Sequence, residues 1–95
     1  MYFFVYILKC ADGSFYTGHT DNLEKRIGEH RSGMLDCYTF SRRPIEVVFV
    51  QHCSSRYEAL AAERKIKNWS RKKKEALIEN NWKNLSRFAK KDFKR

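Results

Sequence analysis

Residues 2–9 are dense in aromatic and β-branched side chains, residues 14–17 are of the same kind, and Asp12-Gly13 lies between them. Two such runs around an Asp-Gly turn predict a β-hairpin. Its register stays open. A two-residue loop pairs Ala11 with Ser14 and sends Tyr6 and Tyr16 to opposite faces. A three-residue loop of Ala11, Asp12 and a left-handed Gly13 pairs Leu8 with Tyr16 and Tyr6 with Gly18, so both tyrosines share a face.

After the hairpin the period lengthens to that of a helix. Thr20 or Asp21 can cap its free amides, the helix runs to about Ser32, and Gly33 stops it. Leu23 and Ile27 mark its inward stripe, and the positions that complete the i, i+3, i+4, i+7 pattern are Arg26 and His30. Two basic side chains therefore lean toward the sheet. Residues 33–44 read as a loop, and Pro44 opens a third strand through Ile45, Val47, Val48, Phe49 and Val50. Ser55 and Glu58 fit a capping box for a long helix that continues through Ala59, Leu60, Ala61, Ala62 and Ile66 to Trp69. Ser70 caps a further helix, Arg71 to Glu79. From Asn80 the chain is polar and basic with Trp82, Leu85, Phe88 and Phe93 interspersed, which suits a short docked helix that then frays. Residues 1–79 thus form the domain and 80–95 a basic tail.

Composition narrows the class. At 95 residues the chain makes one domain, since two cores would each fall below the size that folds without staples. Charged residues at 33% argue for a soluble protein. The longest apolar run, Tyr2 to Leu8, is too short to span a bilayer and has no signal-peptide flanks, so a cytoplasmic protein is expected. Cys10, Cys37 and Cys53 are odd in number and widely spaced, which fits reduced thiols rather than a disulfide framework. A zinc site from these cysteines and His19, His30 or His52 lacks any paired-ligand spacing.

Charge then points to a partner. The net charge of +9 lies wholly in residues 54–95, with fourteen Lys or Arg against five Asp or Glu, while residues 1–53 balance six against six. A polyanion is the natural partner, and nucleic acid stands ahead of acidic lipid because no strongly amphipathic surface helix is evident. The plain alternative is a solvated face that aids solubility.

Val5-Tyr6-Ile7, then Tyr16-Thr17-Gly18, then Arg26 and His30 on the next helix, then Glu63 on a later one, together resemble a GIY-YIG nuclease domain. The resemblance covers roughly residues 2–78 and is to the small stand-alone bacterial branch. It implies an α/β fold with a small three-stranded antiparallel sheet flanked by α-helices, the first helix and that of Glu63 lying on either side of the site. It also implies that Tyr6 and Tyr16 are the two motif tyrosines, Arg26 the phosphate-facing arginine, His30 the His or Tyr one turn on, and Glu63 the lone metal-binding carboxylate. Two departures stand out. Val5 replaces the glycine that opens the first motif and Thr17 the isoleucine of the second, and neither change removes a reacting group. His19 stands where some branches carry lysine.

The chemistry is coherent beside that resemblance. Phosphodiester hydrolysis needs an activated water, charge stabilisation on the phosphorane and help for the departing oxygen. Tyr16 can supply the base once a neighbouring cation favours its phenolate over an ordinary pKa of about 10. Arg26 offers a planar fork matched to phosphate oxygens. Glu63 can hold one Mg²⁺, or Mn²⁺, whose other ligands are water and substrate oxygen. His19, Arg64, Lys67, Arg71, Lys72, Lys73 and Lys74 are expected to face the nucleic-acid backbone, with DNA ahead of RNA as substrate. The expected protein is a monomeric, divalent-metal-dependent endonuclease. The alternatives are a nucleic-acid-binding module that does not cut and a protein-interaction subunit of a DNA repair complex.

Each residue also has an ordinary reading. Tyr6 and Tyr16 fit as strand aromatics, Arg26 can pair with Glu29 or Asp21, and His30 fits as a satisfied, partly buried imidazole. Glu63, at helical spacing from Ala59, Leu60 and Ile66, can pair with Lys67 or Arg56. On that inward stripe its charge should be partly desolvated in the metal-free protein at a cost, so a glutamine there is expected to be at least as stable when metal is absent. Three separate elements each place an ionisable group on an otherwise inward face, and that coincidence favours a reactive site.

Overall fold

The computed structural model describes residues 2–34 and 38–80. Strands β1 (Phe3–Lys9) and β2 (Phe15–Thr20) form the hairpin, and β3 (Glu46–Cys53) pairs with the other edge of β1, giving an antiparallel sheet in the order β2-β1-β3. Leu8 lies opposite Tyr16 and Tyr6 opposite Gly18, so the three-residue loop is the one formed. Gly13 takes φ +87°, a left-handed conformation that costs a residue with a Cβ. Its N–H donates to the Cys10 carbonyl at 2.9 Å, and Asp12 accepts from the Ser14 N–H at 3.0 Å and hydroxyl at 2.6 Å.

Because side chains alternate along a strand, β1 feeds two cores. Val5 and Ile7 join Phe49, Cys53, Ala59 and Ile66, with Phe15, Trp69 and Leu77 packed against them. This layer lies under α2 (Arg56–Lys67) and α3 (Arg71–Asn80). Tyr6 and Leu8 join Cys10, Ile27 and Ile45, with Tyr16 and Leu23 beside them, under α1 (Leu23–Ser32). Val5, Tyr6, Ile7 and Leu8 are all 0–1% exposed. Burial of a large apolar side chain is worth about 1.5–3 kcal/mol, so this four-residue stretch carries a large share of the stability. β3 shows why its sequence is a continuous apolar run rather than an alternation. A register shift opposite Ile7 and Leu8 lets Val48 and Phe49 serve one core while Val47 and Val50 serve the other.

The helix ends follow local chemistry. The α1 cap is Asn22, whose side chain accepts from the Lys25 N–H at 3.2 Å, rather than Thr20 or Asp21. Thr20 is still the last strand residue, and its hydroxyl accepts from the Asn22 N–H at 3.1 Å. Gly33, at φ +79°, closes the helix. Ser55 caps α2 through the Glu58 N–H at 3.1 Å, while Glu58 reaches the Ser54 N–H at 2.8 Å, one residue short of a reciprocal capping box. Ser70 caps α3 through the Lys73 N–H at 3.2 Å. A 3-10 turn, Phe40–Arg42, interrupts the loop before β3. The expected docked helix of the tail falls on residues 81–95, outside the described ones. Among the described residues no helix is long and apolar enough to cross a membrane.

Candidate active site

Tyr6 reaches its place because Gly18, its cross-strand partner, has no side chain. A Cβ there would lie 2.7 Å from the Tyr6 hydroxyl and 3.1 Å from the Tyr16 ring, so the missing atom is what lets the Tyr6 phenol lie over β2. The hydroxyl meets His30 Nε2 at 3.0 Å, and His30 Nδ1 meets the Thr39 hydroxyl at 2.8 Å. All three residues are buried. Burial pushes the His30 pKa down, the Arg26 charge pushes it further the same way, and Glu29 opposes them, so the neutral imidazole is favoured. A neutral imidazole has one donor and one acceptor nitrogen. Either Tyr6 donates to Nε2 while Nδ1–H donates to Thr39, or Nε2–H donates to Tyr6 while Thr39 donates to Nδ1.

Tyr16 completes this cluster. Its ring lies 5.2 Å from that of His30 and 6.4 Å from that of Tyr6. On the loop side it stacks with Tyr38 at 6.3 Å and 20°. Arg42 lies 3.9 Å over the Tyr38 ring, donates to the Tyr38 carbonyl at 2.9 Å, and pairs with Asp12 at 3.1 Å. Arg26 is half-exposed and pairs with Glu29 at 3.1 Å, which leaves it able to turn to a ligand for little energy.

The other face of β2 carries a second cluster. His19 Nδ1 bonds Glu63 Oε1, and Lys67 Nζ lies 2.6 Å from Glu63 Oε2. Burial raises the Glu63 pKa, but the hydrogen bonds and charges of Lys67 and His19 outweigh it and the net shift is downward. These two partners oppose the desolvation cost on which the expected stability of a glutamine here rests. The carboxylate is stabilised as an anion in the folded protein, and a glutamine would lose the charge that strengthens these bonds. Thr17, one position along the same face, is 3% exposed, and its hydroxyl has no hydrogen-bond partner among the described residues.

The structure thus gathers Tyr6, Tyr16 and His30, brings the Arg26 charge to bear on His30, and sets Glu63 with His19 across the edge strand. The ordinary pairings are present as well: Arg26 with Glu29, Glu63 with Lys67, and a satisfied His30. The basic residues are spread over α2 and α3. Lys67 is held by Glu63, Arg71 pairs with Glu75 at 3.0 Å and lies 4.5 Å over the Phe15 ring, and Lys73 lies 4.3 Å over Trp69. Arg64 and Lys72 are exposed and Lys74 is half-buried. Thr39, Tyr38 and Arg42 were not foreseen, because their place depends on how the 33–44 loop folds back.

A pH dependence follows from His30. Its folded pKa lies below the unfolded value of about 6.5, so the unfolded chain binds more protons in the window between the two, and stability rises with pH there. The protein is expected to lose stability as pH falls below about 6.5 and to hold it above. A His30→Gln variant should lose that portion of the dependence, as thermal melts between pH 7 and pH 5 will read. A parent curve identical to the variant's would show that His30 is not held neutral.

A family model described as the GIY-YIG catalytic domain matches residues 2–76. A UPF0213 protein of Bacillus pumilus is 45% identical over 76 residues, covering 80% of this chain and 78% of the relative. One from Natronomonas pharaonis is 44% identical over 75 residues, covering 79% and 88%. The solution NMR structure of a UPF0213 protein of Bacillus halodurans is similar with a TM-score of 0.56 at 43% identity, covering 83% of this chain and 84% of that one. A protein of E. faecalis, also solved by NMR, gives a TM-score of 0.60 at 38% identity, covering 84% and 85%.

Proposed function

Since the chain belongs to the GIY-YIG catalytic domain family, whose membership implies nuclease-type activity, we propose that it is a divalent-metal-dependent endonuclease acting on nucleic acid. The observation that carries the reading is the convergence of Tyr6, Tyr16 and His30 at one end of α1, beside Arg26.

Tyr16 takes the proton from the attacking water, and a cation brought beside it with the substrate, Arg26 or the metal ion, would favour its phenolate. Arg26 leaves Glu29 for the scissile phosphate, where its fork matches two oxygens and the charge that builds on the phosphorane. Exchanging one partly exposed carboxylate for a phosphate costs little. Tyr6 and His30 hold the rings at fixed angles and exclude water from behind the base. Glu63 can hold a single divalent cation, since its carboxyl stays ionised. Most of the ion's ligands would be water and substrate oxygens, as Mg²⁺ tolerates. When bound, the ion supplies charge stabilisation and eases departure of the leaving oxygen.

The test is cleavage of a panel of labelled duplex, single-stranded and branched DNA and RNA, with Mg²⁺ or Mn²⁺ and with EDTA. Metal-dependent cutting of any member supports the reading, and binding without cutting across the panel would leave a nucleic-acid-binding module. The basic run on α3 supplies a separate prediction. Changing Arg71, Lys72, Lys73 and Lys74 to Gln should weaken binding of every sequence and flatten its salt dependence, by about 0.9 in log–log slope for each phosphate of duplex DNA that the protein ceases to neutralise. Arg71 and Lys73 lie over Phe15 and Trp69, so Lys72→Gln alone should account for a clear part of the change. An unaltered slope would reduce the run to a solvated face.

A further inference from the structure

The His19–Glu63 contact brings together two different metal-binding atoms on the face of β2 opposite the α1-side cluster. His19 comes from β2 and Glu63 from the inward side of α2, and they meet through imidazole Nδ1 and carboxylate Oε1. Lys67 occupies the other oxygen, Oε2. This leaves Oε1 as the single donor of Glu63, aimed at the imidazole. Both partners are partly shielded, with side chains 23% and 13% exposed. The buried, unpartnered Thr17 hydroxyl lies one position along the same face of β2. An ordered polar ligand is what such a hydroxyl lacks.

We propose that His19 Nδ1 and Glu63 Oε1 form a two-donor site that selects a borderline divalent ion, of which Co²⁺ and Zn²⁺ are members, over Mg²⁺. The inference rests on the reading of Glu63 as the metal carboxylate and adds His19 as its co-ligand. Imidazole nitrogen suits Zn²⁺, Fe²⁺ and Ni²⁺, whereas a carboxylate with water suits Mg²⁺ and Mn²⁺. Adding one nitrogen to an oxygen-only shell therefore shifts the preference. The ion displaces the proton that Nδ1 and Oε1 share, and that proton leaves to solvent. Lys67 keeps the carboxylate monodentate and oriented.

The experiment uses the whole chain and the metals alone. Co²⁺ and Mg²⁺ affinities are measured by calorimetry, and the Co²⁺ site is located from paramagnetic broadening of assigned amide and imidazole resonances. The expected result is Co²⁺ binding at least about tenfold tighter than Mg²⁺, with broadening centred on Thr17, His19 and Glu63. His19→Asn should weaken Co²⁺ on the order of tenfold or more, since loss even of an outer partner costs about 10–100-fold, and should leave Mg²⁺ affinity within about twofold. His19→Asp keeps two donors but makes both oxygen, and should lose the preference for Co²⁺. Glu63→Gln should lose both metals. Unchanged Co²⁺ affinity in His19→Asn, or broadening centred on His52, overturns the inference and leaves Glu63 free to act alone. Retained Mg²⁺ affinity in Glu63→Gln would instead sink the reading of Glu63 on which the inference rests.

Discussion

Tyr16→Phe is expected to lower the cleavage rate by about a hundredfold or more while nucleic-acid affinity stays close to the parent's. The substitution removes one oxygen and no packing. The phenyl ring retains its contacts with His30 at 5.2 Å and Tyr38 at 6.3 Å. Arg26→Ala is expected to cost as much, on the order of 10² or more, because it removes a cation from the transition state. Its only ion pair among the described residues is with Glu29 on a half-exposed helix face, and such pairs contribute about 1 kcal/mol or less. Arg26→Ala should also let the His30 pKa rise, since the Arg26 charge is one cause of its depression. Rates come from single-turnover assays and the His30 shift from NMR titration. Full activity in Tyr16→Phe would rule out the phenol as base.

Gly18→Ala is the second substitution of large expected effect, and it acts through space rather than charge. The new Cβ would fall 2.7 Å from the Tyr6 hydroxyl and 2.8 Å from its ring carbon Cζ, distances at which something must move. Tyr6 has little room to yield, being 1% exposed between Leu8, Ile27 and the sheet. The Tyr6–His30 bond should break, and overpacking of this kind typically costs about 1–3 kcal/mol. A matched loss of cleavage is expected, since the rings that set the angle of Tyr16 shift with it. Denaturant melts and the assay above read both, and a variant as stable and as active as the parent would show that Gly18 merely tolerates Tyr6.

Much of this was legible in the sequence, for physical reasons. Element order followed from period and punctuation, and the order of Tyr6, Tyr16, Arg26, His30 and Glu63 along the chain carried the family resemblance. The hairpin register was not decided by composition, because Asp12-Gly13 serves either loop. It turned on whether one residue or two would be left-handed, and only Gly13 is. The α1 cap moved to Asn22 because Thr20 was claimed by β2. Thr39 was invisible: a buried imidazole implies a second partner, but a twelve-residue loop does not say which of its hydroxyls returns to supply it. The His19 partner of Glu63 was not legible, because desolvation is readable from helical spacing, whereas His19 arrives from a strand 44 positions away.

The central position of β1 has a consequence for the chain while it is being synthesised. β1 acquires β2 as a neighbour within a hairpin, but its second edge waits for β3, whose last residue, Cys53, comes 33 positions after Thr20. At ordinary elongation speeds of about 5–20 residues per second this is an interval of roughly 2–7 s. Throughout it, one row of β1 amides and carbonyls stands open beside some of the most apolar side chains in the protein, a template for pairing with another nascent chain. A polypeptide ended at residue 44 should accordingly aggregate where one ended at residue 80 remains in solution, as centrifugation of the two would measure. The polar α1 follows the hairpin directly, and it covers one flank of that strand before its partner arrives.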